Sequence, residues 1–229
     1  MNVNDNVGGI RTVTVWDVPV RLFHWTLVAA VATSWATAEL GLTRVHFASG
    51  YVILILLLFR VTWGVVGSQT ARFGDFLKGP AAALRHLREL RAVGPGAHPV
   101  LGHNPLGGWM VAALLTVLLV QAGTGLFTSD DILVDGPLVA HVAGSTVKLS
   151  STIHRLLFNL IAVMILIHVG VIVAYLKLRG QNLIRPMVTG VKAVPPGVTV
   201  EAPRQASLVW AALVAAMAVG LVFALIKAA

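Results

Sequence analysis

Five stretches of this chain, each about twenty residues long, are almost free of charged side chains. A helix rising about 1.5 Å per residue needs about twenty apolar residues to cross roughly 30 Å of hydrocarbon. Inside lipid the backbone must satisfy its own hydrogen bonds, and a single segment does so as an α-helix. The spans expected are 18–38, 46–66, 109–128, 152–176 and 206–226. Glu39, Gly41 and Arg44 turn the chain between the first two, and a polar segment, 68–108, separates the second from the third. An acidic loop with Asp130, Asp131 and Asp135 leads into the fourth. The fold class expected is all-α and integral to a membrane, with no internal repeat.

Composition agrees. The chain is 57% hydrophobic and 11% charged, where soluble domains carry about 25% charged residues. Its net charge of +8 does not point to nucleic acid, because long uncharged runs separate the basic residues. With no cysteine, disulfides, thiolate zinc sites, iron–sulfur clusters and covalently attached haem are excluded. The first sixteen residues lack an apolar core, so no cleavable secretory signal is expected. Of the 17 Lys and Arg residues, twelve fall on the side shared by the N-terminus, the 68–108 segment and the stretch after the fourth span. Four fall on the other side, and Arg60 lies within a span. Positive charge stays inside, so the N-terminus is expected in the cytoplasm and the C-terminus in the periplasm. Within the cytoplasmic loop, residues 81–93 place Leu84, Leu87 and Leu90 among Arg85, Arg88 and Arg91, the pattern of a helix on the membrane surface or of a solvated loop helix.

The histidines carry the functional signal. His86, His98, His103 and His141 belong to loops, where exposed or hydrogen-bonding roles suffice. His24, His46, His154 and His168 lie in or beside apolar spans, where an unpartnered imidazole is costly. His154 and His168 are fourteen residues apart on one span. At about 100° per residue they share a face, and along the axis they are roughly 21 Å apart, one near each surface. By depth, His24 matches His168 on the inner side and His46 matches His154 on the outer side. A single four-histidine metal site would need one depth, and the spans carry no Asp or Glu to complete a proton relay. Facing imidazoles at two depths suit two six-coordinate b-type haems, a pairing for electron transfer because it leaves no open iron position.

Other residues fit around such haems. Gly50 lies one turn after His46, and Gly123 and Gly125 sit at the outer end of the third span, where small residues admit a flat macrocycle or simply let helices pack. Arg60, fourteen residues after His46, is a candidate partner for a haem propionate, with an ion pair or snorkelling as the alternatives. Arg155 and Arg21 are lesser candidates of the same kind.

The motif Val15-Trp16-Asp17-Val18-Pro19-Val20-Arg21-Leu22-Phe23-His24-Trp25 resembles the bacterial cytochrome b561 group, including the cytochrome b subunit of nickel–iron hydrogenases. So do His46 to Tyr51 with Arg60 and Trp63-Gly64, Ala71-Arg72-Phe73, and Gly102 to Gly107. Gln121 to Phe127, His154, His168 and Asn182 to Gly190 complete the resemblance, which covers about residues 14–192. It implies a four-helix transmembrane bundle with two non-covalent haems held by His24 with His168 and His46 with His154. Residues 1–192 would form that domain, and 193–229 a linker and an extra transmembrane helix of unassigned role. It further implies residence in the bacterial inner membrane and electron exchange between quinone and an outer-face redox partner, a c-type cytochrome or a hydrogenase-like oxidoreductase. His103, Asn104 and Arg72 are candidates for the quinone site, although a turn at Asn104-Pro105 explains that motif equally. A stand-alone superoxide:quinone oxidoreductase and a haem-free membrane scaffold are the competing functions, and self-association is left open.

Overall fold

The computed structural model describes residues 11–92, 102–130, 134–194 and 200–229. In chain order these form β1 (Arg11–Thr14), α1 (Val18–Glu39), α2 (Thr43–Val66), α3 (Phe73–Phe76) and α4 (Pro80–Ala92). There follow α5 (Pro105–Gly125), α6 (Gly144–Arg179), α7 (Ile184–Thr189), β2 (Val191–Val194) and α8 (Leu208–Ala228). Four helices are long and apolar enough to cross a membrane: α2, α5, α6 and α8. The chain is therefore an all-α integral membrane protein. With 22 residues α1 has the length as well, but Arg21, His24, Thr26, Thr33, Ser34 and Thr37 leave it less apolar than the other four.

Helices occupy all five expected segments, four of them apolar enough to cross a membrane, and the loop helix is present, with shifted ends. The fourth starts at Gly144 rather than at 152, since nothing in Ser145 to Ser151 breaks a helix and lipid is not needed to propagate one. The third begins at Pro105, because Asn104 caps it: the Asn104 side-chain oxygen accepts from the Gly107 amide at 2.7 Å, with proline in the first helical position. His98 and Asp131 lie outside the described residues.

Chain contacts divide the molecule into two compact units. The first takes residues 1–22, 62–112 and 166–211. Here β1 pairs antiparallel with β2, Arg11 opposite Val194 and Thr14 opposite Val191. This two-stranded sheet is invisible to hydropathy, because two four-residue strands 180 residues apart carry no periodic signal. Gly190, in the left-handed region at φ 85°, ends α7, and its carbonyl accepts from the amides of Val15 and Trp16 at 2.8 and 3.1 Å. A Cβ there would meet the Trp16 carbonyl at 3.0 Å and Arg21 Nε at 3.1 Å, so both the conformation and the space require glycine. Burial in this sheet pushes the Lys192 ammonium pKa down.

Asp17 opens α1. One carboxyl oxygen accepts from the Val20 amide at 2.7 Å, the N-cap arrangement, and the other accepts from the Trp63 indole N–H at 2.9 Å. Both side chains are buried, Trp63 completely. Gly64 gives Phe73 its room, since a Cβ would overlap the phenyl ring. The approach to α8 is tied down as well. Ser68 Oγ accepts from the Ala206 amide, and Gln69 exchanges hydrogen bonds with the backbone of Arg204.

The second unit takes residues 23–61, 113–165 and 212–229. Its α1–α2 hairpin is closed by a Schellman motif: the Leu42 amide donates to the Thr37 carbonyl and the Gly41 amide to Ala38, with Gly41 at φ 68°. Trp35 of α1 packs on Phe158 of α6, ring centres 6.1 Å apart. The connection after α5 folds back on itself through a Ser129–Asp135 bridge, and Ser151 holds the Ser129 amide.

The Asp17–Trp63 contact yields a stability prediction. Asp17→Ala removes both the helix cap and the indole's acceptor and should cost about 2–3 kcal/mol. Asp17→Asn keeps a cap oxygen but turns an amide toward the indole N–H, so its loss should be smaller. Thermal unfolding in detergent measures both; equal stability of all three proteins would show that the contact contributes nothing.

Candidate functional site

In the second unit two histidines from different helices face each other. His46 stands near the start of α2, and His154 stands on the part of α6 that belongs to this unit. Their ring centres are 6.3 Å apart and their planes lie at 88°. Each ring is fixed at Nδ1: His46 Nδ1 lies 2.9 Å from the Ser34 carbonyl of α1, and His154 Nδ1 lies 2.9 Å from the Gln121 carbonyl of α5. A carbonyl only accepts, so each Nδ1 carries its proton and each Nε2 keeps its lone pair. Four helices thus converge on one pair of imidazoles, two supplying the rings and two holding them.

That separation is what one metal between two imidazoles requires. Metal–nitrogen bonds of about 2 Å on opposite sides of an iron put the ring centres about 6 Å apart. Among the described residues no group of three or more His, Asp or Glu could hold a metal ion by itself. The pair therefore suits a metal that brings its own equatorial ligands, as haem does. Beside Gly50 and beside Gly123 a Cβ would meet nothing within 4 Å. Gly125 is the reverse case, since a Cβ there would press on His154 Cε1 at 3.0 Å. Of the arginines expected nearby, Arg60 is buried at 2% exposure within α2, and Arg155 is exposed beside His154. Gln121 Oε1 is buried and accepts no hydrogen bond.

His24 and His168 belong to different units. His24 is half-buried on α1 with Trp25 edge-on at 4.8 Å, and His168 is half-buried on α6.

The expected quinone residues lie in the first unit and do different things. The His103 ring sits 4.6 Å from Trp16 and 4.7 Å from Phe76 and lines a cavity of about 380 Å³ with Gln69, Thr70, Asp75, Lys78, Glu201 and Arg204. Asn104 is occupied by the fold: beyond its cap, its amide donates to the Tyr175 hydroxyl at 2.9 Å, which also meets His86 Nε2 at 3.3 Å. Arg72 lies 3.8 Å from the Asp75 carboxyl and is not part of the cavity wall. Arg21, a lesser propionate candidate, donates to the Val188 carbonyl at 2.6 Å.

Sequence reasoning missed Ser34 and Gln121. Gln121 contributes a backbone carbonyl, which any residue type supplies, and Ser34 contributes its carbonyl with its hydroxyl 3.3 Å from the same His46 Nδ1. Neither forms a side-chain motif with its histidine. Asp17 and Trp63 were legible as parts of a motif, but their hydrogen bond spans 46 residues.

Comparison with known proteins gives the family. Residues 15–190 match the family model described as prokaryotic cytochrome b561. A probable Ni/Fe-hydrogenase B-type cytochrome subunit of Rhizobium leguminosarum bv. viciae is 29% identical over 142 residues, covering 50% of this chain and 59% of the relative. The chain thus spans less than two thirds of the relative's length. No solved structure matches. With the family match extending over every helix from α1 to α7, the chain belongs to the prokaryotic cytochrome b561 family, which implies b-type haem in a membrane protein.

Proposed function

We propose that this protein carries electrons across the bacterial inner membrane through two b-type haems, between the quinone pool and a redox protein at the outer face. The observation that carries this reading is the His46–His154 pair, with ring centres 6.3 Å apart and both Nδ1 atoms engaged by carbonyls. These two residues are assigned to the outer haem, and His24 with His168 to the inner one. Bound haem, held by these histidines, would supply a one-electron couple.

The chain's own residues account for the rest. Backbone carbonyls keep each imidazole in one tautomer, so the ligands need not reorganise when the electron moves. Gly50 and Gly123 leave room for the macrocycle, Gly125 lets α5 approach His154, and Arg60 is the buried cation suited to a propionate. The surrounding apolar side chains exclude water and hold the effective dielectric low. Because His154 and His168 share α6 at a spacing of roughly 21 Å, one helix fixes the depth of both haems.

Orientation follows the positive-inside rule. The N-terminus and the α2–α5 connection lie in the cytoplasm, and the C-terminus lies in the periplasm with α1 counted as a crossing. Residues 1–192 form the haem-carrying domain, and α8 is an addition beyond it, outside the matched residues. Quinone exchange is assigned to the cytoplasmic side at His103, supported by its place on the wall of the 380 Å³ cavity. Asn104 contributes there by capping α5, and Arg72 by its place beside the cavity residue Asp75. The relative's name favours a hydrogenase-like oxidoreductase as the outer partner over a c-type cytochrome.

Two tests follow. A pyridine haemochrome assay on the purified protein should count about two non-covalent haems per chain. His46→Ala and His154→Ala should each remove the same haem, while His24→Ala and His168→Ala remove the other; loss of different haems within either pair refutes the assignment. Separately, His103→Ala should slow haem reduction by a quinol several-fold with the haem spectrum intact. An unchanged rate would move the quinone site elsewhere.

A further inference from the structure

The two carbonyls that hold the outer histidines share a second feature. Thr37 Oγ1 lies 2.7 Å from the Thr33 carbonyl and 3.2 Å from the Ser34 carbonyl. Thr124 Oγ1 lies 2.7 Å from the Val120 carbonyl and 3.1 Å from the Gln121 carbonyl. On each helix, then, one threonine hydroxyl donates between the carbonyls four and three residues back. The carbonyl three back is the one that receives the histidine N–H, at 2.9 Å in both cases. The match is not a general habit of threonine in this chain. Thr152 and Thr189 bond back to the carbonyl four residues behind at 2.9 Å, Thr189 also meeting the Val191 carbonyl at 3.4 Å, and Thr128 bonds to the Gly125 carbonyl three behind at 3.0 Å. None of them bridges the carbonyls four and three back, and none of these carbonyls is seen to receive an imidazole.

Back-bonding of this kind bends a helix locally, because the hydroxyl competes with the regular amide–carbonyl ladder. A carbonyl turned off the helix axis can serve a donor on a neighbouring helix. Thr37 is buried, which keeps water from competing for the same oxygen. Its own carbonyl closes the α1–α2 hairpin by accepting the Leu42 amide, so its place relative to His46 is fixed from both ends.

We propose that Thr37 and Thr124 are paired positioning residues. Each hydroxyl aims one helix carbonyl at Nδ1 of one outer histidine and thereby sets how strongly that imidazole donates to iron. The inference rests on the two-histidine reading of the outer site. An imidazole whose N–H is held by a carbonyl is the more electron-rich ligand, and such a ligand favours the ferric state. Without the hydroxyl the turn relaxes toward a regular helix and the carbonyl swings back toward the axis. The histidine hydrogen bond then lengthens, and the outer haem's potential rises.

The test is a spectroscopic redox titration of the full-length purified protein carrying Thr37→Val or Thr124→Val, with Thr37→Ser, Thr124→Ser and Thr152→Val alongside. The expected result is an upward shift of the outer haem in each valine variant, no shift of the inner haem, and wild-type behaviour in the serine and Thr152 variants. Loss of the outer haem in a valine variant and its retention in the matching serine variant would support the same conclusion. An unmoved outer potential, an equal shift of both haems, or serine variants that behave like valine would overturn it. Nitrogen-15 spectra of the histidine rings in haem-depleted protein give a second readout. There the valine variants should weaken the Nδ1–H hydrogen bonds of His46 and His154, and unchanged ring signals would defeat the threonine role. The haem count and the His46→Ala spectrum of the parent protein test the haem site itself, so the two failures are told apart.

Discussion

A bilayer interior offers an imidazole no water, so every polar atom of a histidine placed there needs a partner from the protein or from a bound group. At His46 and His154 the chain supplies half of each requirement. One ring nitrogen is satisfied by a backbone carbonyl and the other is left as an unshared donor. This division fixes the chemistry. With both N–H groups used up, what remains among four helices is one unshared nitrogen on each of two rings whose centres are 6.3 Å apart. The glycines follow from it: Gly125 is small because His154 is close, and the space beside Gly50 and Gly123 is open.

Much of this was legible in the sequence. Hydropathy found the helices, because apolar runs of about twenty residues have few other uses. The fourteen-residue spacing of His154 and His168 places both on one face of α6 at two heights, since helix geometry turns spacing directly into position. The ends of the helices were less legible: Ser145 to Ser151 are polar enough to look like loop but extend α6 outward, because hydropathy reports lipid contact and not helicity.

What the sequence hid were contacts made by groups without side-chain identity or across long separations. Ser34 and Gln121 act through carbonyls. The β1–β2 pairing joins Arg11 to Val194, and Thr70 donates to the Val15 carbonyl. Each such contact depends on where the helices bring two remote segments, which no local pattern encodes. The candidate quinone residues show the complementary case. Asn104 reads as chemistry because it stands beside His103, yet both ends of its side chain are taken up by the α5 cap and Tyr175.

The two units differ in what their polar groups do. In the first, Asp17, Ser68, Gln69, Asn104 and Arg21 bond to backbone or to one another and tie together strands, caps and connections. In the second, the comparable hydroxyls and carbonyls of α1 and α5 converge on two rings. A redox couple held in a membrane gains from such an arrangement, because charge that moves in a low-dielectric site is stabilised only by dipoles already in place. Helix carbonyls are well suited to that role. Their orientation is set by the fold, and a neighbouring hydroxyl can adjust it without placing a charge in the hydrocarbon.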